Sequence, residues 1–453
     1  MNKREFLKAS GAVVAGSFLS HAAAGQNPVA NEPAGPRENW AGNLTYSTDH
    51  LHTPATTDEV RQIVKNCAKL RVLGTKHSFN TIADSTENQI SLKRLDAISI
   101  DEKARTATVG AGVTYGKLAP VIDARDYALH NLASLPHISV AGAIATATHG
   151  SGMHNGNLAT AVSALEFVTA NGETVALSRE KDGDRFLGAV VGLGSLGVVT
   201  SVSLNLLPTF QVAQSVYQNL SFDHLEHHFN EIFSAGYSVS LFTDWQRHQA
   251  TQVWIKRRLA PGDKNEWQPE FYGAKVAIAK LHPVPGHDAE PCTEQQGIPG
   301  PWYERLPHFR MNFVPSSGRE LQTEYFVPRE RGYEAILAVE KLRDQITPHL
   351  FITELRTIAA DHLWMSMAYQ RDSLAIHFTW KPEWPEVSKI LPQIEKQLEP
   401  FAARPHWAKL FTLPPSRLQA EYARLNEFKE IAGHYDPHGK FRNEFIGKNL
   451  YSS

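Results

Sequence analysis

The chain has 453 residues, beyond the size at which one hydrophobic core usually stops growing, so two domains are expected. Its 45 Lys and Arg stand against 47 Asp and Glu, a formal net charge of -2 that offers no field for gathering nucleic acid or holding an anionic membrane surface. Two cysteines, Cys67 and Cys292, exclude a disulfide framework or a four-cysteine metal site and leave room for one disulfide at most.

Residues 1–24 read as an export signal. Lys3, Arg4 and Lys8 precede an apolar run from Ala9 to Leu19, and Ala22-Ala23-Ala24 supplies the small residues of a cleavage site. The run is too short to span a bilayer, so no stable membrane insertion is expected. Asn2-Lys3-Arg4-Glu5-Phe6-Leu7-Lys8 resembles a twin-arginine signal with Lys3 in place of the first arginine, which implies a periplasmic or extracellular protein folded before export. An uncleaved anchor and a plain unfolded-export signal are the competing readings. Residues 26–37, rich in Pro, Asn and Gly, form a lead into the mature fold.

Thr56 and the acidic residues after it cap an amphipathic pattern through Val60, Ile63, Val64 and Ala68, predicting a helix to about Leu70. An apolar run then ends at Gly74 and presents His77, either as a loop histidine or as a group placed for chemistry. Residues 97–100 and 105–109 fit a hairpin, 114–125 a helix and 127–132 an extended run. Ser139, Gly142, Thr146, Ala147, Thr148 and His149 belong to a stretch of mostly small residues, Ser134 to Gly152. That composition suits backbone amides and hydroxyls crowding a pyrophosphate away from any helix N-terminus, or else a tightly packed helix.

Strands are predicted at 165–169, 174–177 and 198–206, with Asn171-Gly172 marking a type I′ hairpin turn. Gly192-Leu193-Gly194-Ser195-Leu196-Gly197 matches the dinucleotide fingerprint literally, but a strand follows it where the fingerprint requires a helix, so a Rossmann domain is rejected. A domain boundary falls near Pro208, beyond which lie eight tryptophans from Trp245 to Trp407, a helix at 333–346 and a loop-rich excursion at 283–301. On the strand-like run 351–357 Glu354 and Arg356 alternate to one face, and His377 and Thr379 do the same on 376–380. Glu354 and Arg356 read either as a structural ion pair in a sheet or, if the two strands are neighbours, as part of a set of four polar groups facing one cavity, to which Gln322 and Lys409 add donors and acceptors.

His77 within Gly-Thr-Lys-His-Ser-Phe-Asn, the Ser134–Gly152 stretch and Gly192–Thr200 together resemble the FAD-binding domain of the vanillyl-alcohol-oxidase superfamily. The likeness to its bacterial alditol oxidases continues through Phe242-Thr243-Asp244-Trp245, His282-Pro283-Val284-Pro285-Gly286, Glu354-Leu355-Arg356-Thr357, His377-Phe378-Thr379-Trp380 and Arg404 to Lys409, so it spans the mature chain. The resemblance implies an α+β, two-domain fold of the PCMH type: an FAD-binding domain at 38–208, a substrate or cap domain with a large antiparallel sheet at 209–415, and a C-terminal segment, 416–453, returning to the first domain. It implies FAD bonded through its 8α-methyl group to His77. Cofactor contacts are expected from Val72, Leu73, Gly74, Thr75, Lys76, His77, Ser78, Ser134, Ser139, Gly142, Thr146, Ala147, Thr148, His149, Val199 and His406, and no metal is expected. Substrate residues are expected at Ser134, Gln322, Glu354, Arg356, Thr379 and Lys409, with His377, Arg356, Lys409 and Glu354 catalytic and His377 the base or its relay. The implied reaction is oxidation of a polyol such as xylitol or sorbitol at its terminal carbinol by molecular oxygen, giving the aldose and hydrogen peroxide, in a monomer. The alternatives are an aldonolactone oxidase or dehydrogenase of the same superfamily, and an exported carbohydrate-binding protein with a vestigial flavin site.

Overall fold

The computed structural model describes residues 37–452 except 261, 262 and 264, and the export signal expected at 1–24 lies outside these residues. The N-terminal part opens with a small parallel sheet ordered β1-β3-β2, where β1 is Leu51–His52, β2 Arg71–Val72 and β3 Gln89–Ile90. Helix α1 (Thr57–Asn66) joins β1 to β2. The Thr56 side chain accepts from the Glu59 N–H, and Val60, Ile63 and Val64 form its buried face. It stops four residues short of the predicted Leu70, because Cys67 turns extended (φ -94°, ψ 132°) and the Leu70 N–H is drawn to the Lys440 carbonyl.

A five-stranded antiparallel sheet ordered β4-β5-β9-β7-β8 forms the body of this part. Its strands are β4 (Ile98–Asp101) and β5 (Thr106–Gly110), which make the expected hairpin, then β7 (Val162–Val168), β8 (Thr174–Ser178) and β9 (Val198–Asn205). Around it lie α2 (Tyr115–Asp123), α3 (Val140–Ala145) and α4 (Arg179–Val190). The extended run predicted at 127–132 is strand only at β6 (Tyr127–Ala128), where it pairs with β10 (Leu207–Pro208). The β7–β8 turn is not type I′: the Gly172 N–H bonds to Thr169 O, only Gly172 is left-handed (φ 81°), and Thr169 N–H bonds to Glu173 O. This is a turn followed by a glycine bulge. α4 precedes and β9 follows the Gly192–Gly197 segment, the reverse of a dinucleotide fingerprint.

The second domain is built on a ten-stranded sheet. Its strands are β11 (Gln211–Ser221), β12 (Ser238–Thr243), β13 (Gln249–Leu259), β14 (Glu270–Phe271), β15 (Ala274–Val276), β16 (Gly300–Pro301), β17 (Leu321–Pro328), β18 (Leu350–Ile358), β19 (Ser373–Trp380) and β20 (Arg404–Pro405). The order is β14-β15-β11-β13-β12-β18-β19-β17-β20, with β16 on β11. Alternation assigns the faces: Leu355 of β18, Leu374, Ile376, Phe378 and Trp380 of β19, and Leu321, Tyr325 and Val327 of β17 pack into one core with the helices Asp223–Phe233, Gly332–Glu340 and Trp384–Gln397. Residues between them face the other way, toward the first domain. The single helix predicted at 333–346 is two, Gly332–Glu340 and Arg343–Ile346, because Leu342 leaves helical angles (φ -98°, ψ 8°).

The C-terminal segment lies against the N-terminal part. Lys69 Nζ donates to Gly439 O, Arg71 Nη1 to Phe441 O, and Asn443 Nδ2 to the carbonyls of Thr81, Ile82 and Asp84. Cys67 and Cys292 are both free and buried. Among the described residues no helix is long and apolar enough to cross a membrane.

Candidate active site

Two cavities meet at His77. The first is a cleft of about 1420 Å³ of empty space, partly open to solvent, lined by Val72, Leu73, Gly74, Thr75, Lys76, His77, Ser78, Ser139, Gly142, Thr146, Thr148, Val199 and the Gly192–Gly197 turn. Its walls are mostly backbone and small side chains. A Cβ on Gly142 would stand 2.8 Å from Ser139 Oγ, and one on Gly74 3.1 Å from the same atom, so β2's exit and the start of α3 approach as closely as glycine permits. Ser139 is the N-cap residue of α3, yet its buried hydroxyl does not cap the helix, and Ser195 Oγ is buried without a partner. The Ser139 hydroxyl on a glycine-walled cleft fits a cofactor with phosphate groups and a flat ring. The small-residue stretch contains a short helix, the alternative to a cradle built away from any helix N-terminus. Val140–Ala145 is too short to be more than a turn and a half, because Ala147 goes left-handed (φ 53°).

The second cavity holds about 950 Å³ of empty space and is lined by Ser134, Gln322, Glu354, Arg356, His377, Thr379 and Lys409, so every expected substrate residue is brought together. His77, Ile138, Thr148 and Ala408 line both cavities. The structure places Ser134, His149 and His406 on this second cavity, and Ala147 is buried without lining either.

His77 follows Lys76, whose left-handed φ of 66° turns the chain to expose the ring at the junction. The imidazole stacks on Trp40 at 5.3 Å between centroids, and burial, with His137 and Lys409 adding repulsion, pushes its pKa down to about 3. The ring is therefore uncharged near neutral pH. The loop is tied to the opposite wall: Phe79 N–H donates to Ala408 O, and Asn80 Nδ2 to the carbonyls of Trp407 and Lys409.

β18 and β19 are adjacent and antiparallel, with Glu354 directly opposite His377, so the four alternating polar residues do share a face. Behind them stands Glu324 on β17, which the sequence reading missed although it alternates with Gln322. Glu324 Oε1 accepts from Arg356 Nη2 at 2.7 Å and lies 3.1 Å from His149 Nε2, while Oε2 is 3.5 Å from His377 Nδ1. Burial works to raise this carboxyl, but His149, Arg356 and His377 together outweigh it and hold it well below the usual range. Glu354 is likewise depressed, burial being overcome by Arg356, His308 and His377. His377 is lowered, first by burial, with Lys409 and Arg356 adding to the effect against Glu324. Its Nε2 is 3.3 Å from Thr379 Oγ1. Burial brings Lys409 down to about 8; its Nζ donates to Gln322 Oε1. Arg356 Nη1 donates to Ser134 Oγ at 3.1 Å, while Arg356 Nε and His377 Nδ1 are buried without a formed hydrogen bond.

His149, Glu324 and His406 lie close enough to resemble a ligand set. His406 Nδ1 accepts from the Ala408 N–H, which leaves the proton of the neutral ring on Nε2, and Glu324 Oε1 is held by Arg356. Glu324, in contact with His149, is the hydrogen-bonded support for Arg356. His308, also missed, pairs with Glu354 at 2.7 Å from an irregular segment without periodicity to betray it.

An FAD binding domain family matches residues 48–178, and a D-arabinono-1,4-lactone oxidase family matches residues 314–449. The chain is 47% identical over 413 residues to an alditol oxidase of a Streptomyces species, covering 90% of this chain and 97% of that protein. It is 28% identical over 444 residues to an L-gulono-1,4-lactone dehydrogenase of Mycobacterium tuberculosis, covering 91% and 98%. The crystal structure of cholesterol oxidase from Brevibacterium sterolicum superposes with a TM-score of 0.73 at 14% identity over 91% of this chain and 96% of that one, a likeness of fold.

Proposed function

The chain belongs to the alditol oxidase family of FAD-dependent flavoproteins, and from that membership we propose that it oxidises alditols at the terminal carbinol with oxygen as acceptor, on a flavin bonded to His77. The observation that carries this reading is the cross-strand pair Glu354–His377 in a polar cavity that joins a glycine-walled cleft at His77. The cleft residues from Val72 to Ser78, Ser139 to Thr148 and Val199 would hold FAD, whose ring, when bound, supplies the hydride acceptor and the route to hydrogen peroxide.

The residues around the cavity divide the remaining work. A polyol presents many hydroxyls and no charge, so it is recognised by a dense set of donors and acceptors, each costly to leave unpaired. Ser134, Gln322, Glu354, Thr379 and Lys409 provide that set. His377, kept neutral by burial, offers Nε2 as the base for the terminal hydroxyl proton, and the Arg356 and Lys409 cations stabilise the alkoxide as it forms. His77, one of the four residues that line both cavities, would offer its neutral imidazole nitrogen for the bond to the flavin 8α-methyl carbon. Residues 1–24 direct export to the periplasm or beyond, and a covalent tether suits a monomer that cannot recover lost cofactor there.

Steady-state turnover of a polyol panel with peroxide detection tests the reaction. Xylitol or sorbitol turned over with equimolar peroxide supports it; turnover of none of them overturns it. The lactone reading is favoured by the family match at 314–449, and it prevails if aldonolactones are oxidised faster than any polyol.

A further inference from the structure

Behind Glu354 runs a buried chain of polar groups that the reaction as described does not use. Lys256 sits on β13 with only 1% of its surface exposed, and among the described residues no carboxylate is in hydrogen-bond contact with its Nζ. Its Nζ donates to the carbonyls of Leu306 and Pro307, the latter at 3.1 Å, and stands 3.2 Å from His308 Nδ1. The ionised Glu354 carboxylate can only accept, so the proton of the neutral His308 ring is on Nε2, and Nδ1 accepts from Lys256 Nζ. That Nε2–H points at Glu354 Oε1, 2.7 Å away. The imidazole is clamped edge-on by Phe242 and Trp254, at 5.6 and 5.1 Å between centroids. The same residue reaches the other wall of the cavity: the backbone N–H groups of His308 and Phe309 both donate to Ser134 O. Glu354's second oxygen is left with a single long approach, 3.6 Å from Arg356 Nε. A buried lysine and histidine are costly in a sheet core, and the side-chain link between them leads on to Glu354.

We propose that Lys256 and His308 are positioning residues of the alditol site: Lys256 fixes the tautomer of His308, and His308 holds Glu354 as an ionised acceptor whose free oxygen meets a substrate hydroxyl. The inference rests on the reading of the polar cavity as the alditol site. It predicts that the chain acts on polyol binding rather than on the hydride step.

The test uses the flavin-loaded enzyme reduced with dithionite under nitrogen, which binds xylitol without oxidising it, with the dissociation constant measured by calorimetry and kcat and KM measured separately in air. His308→Leu should weaken xylitol binding by about tenfold or more, the range for losing a charge-assisted hydrogen bond, with kcat within about threefold of the parent. Lys256→Met should act in the same direction. His308→Gln, whose amide can still donate to Glu354, should bind within about threefold of the parent. If His308→Leu and Lys256→Met bind like the parent, the relay is overturned while the alditol reading stands. If His308→Gln binds as poorly as His308→Leu, ring shape and not proton direction matters, and the relay is again overturned. A parent enzyme that binds no xylitol defeats the alditol reading and this inference with it. Should Lys256→Met fail to fold, as its flavin absorbance would report, the two His308 variants decide.

Discussion

His77 is indistinguishable from any loop histidine in its own ten residues; its position at the junction of two cavities is a property of chain segments more than three hundred residues away. Phe79 and Asn80 are bonded to the backbone of residues 407–409, so the loop is held against the wall that carries Lys409. Acid precipitation of the parent protein should leave the yellow colour on the polypeptide, and His77→Ala should release it to the supernatant. Colour retained by His77→Ala would place the bond elsewhere. Lys409 carries a second prediction. In the folded protein its pKa is about 8, lowered by burial, so its charge is present below that value and is lost as pH rises through it. kcat/KM for a polyol should therefore fall above about pH 8. Lys409→Arg, whose guanidinium stays charged, should move that limb upward. A limb unchanged by the substitution would assign it to another group.

At the level of elements, what was legible followed period-two alternation. Glu354 with Arg356 and His377 with Thr379 were placed correctly on shared faces because every second side chain of a strand points the same way, and β18 and β19 prove to be neighbours in register. Glu324 obeys the same rule beside Gln322 but sits next to Tyr325, Phe326 and Val327, in a run buried on both faces, where a lone carboxylate gives no alternation to notice. His308 could not be read, since its segment has no period and its partners come from β13 and β18. Turn geometry also escaped: Asn171-Gly172 satisfies the type I′ signal, yet the bulge leaves only the glycine left-handed. Arg71 shows how such distant elements are joined. Its guanidinium is buried and donates to the carbonyls of Ile82, Leu193, Gly194 and Phe441, linking β2, the glycine-rich turn and the C-terminal segment. Arg71→Leu would take this donor from all four carbonyls, of which Ile82 O keeps Asn443 Nδ2 as a partner while Leu193 O and Phe441 O lose a buried bond. It should cost about 3–5 kcal/mol in urea unfolding and weaken flavin retention. A loss below about 1 kcal/mol would show that the segment is held by packing alone.

For the molecule as a whole, the buried histidines set its response to acid. Burial lowers His308 and His282 to about 4 each, and His377 and His130 are lowered as well. In the unfolded chain these rings take up protons near pH 6.5, whereas the native protein refuses them until lower pH. Between about pH 6.5 and 4 the unfolded state therefore binds more protons, and stability falls as pH drops, by up to about 1.4 kcal/mol per pH unit for each ring. Two carboxyls oppose this. Burial raises Asp361 to about 6, and Glu395 is raised too, so the native state takes protons there first and gains stability through part of the same window. The depressed carboxylates Glu324 and Glu354 do not contribute until the pH nears their unfolded value, about 4.3. The histidines outnumber the raised carboxyls, so the thermal midpoint should decline steadily from pH 7 to 4.5. His282→Asn isolates one ring, because its side-chain oxygen can still accept from the Val284 N–H that His282 Nδ1 now accepts. The variant should lose less stability per pH unit than the parent between pH 6 and 4.5. A parent midpoint that stays flat or rises over that range would mean that the raised carboxyls, not the buried rings, govern its titration.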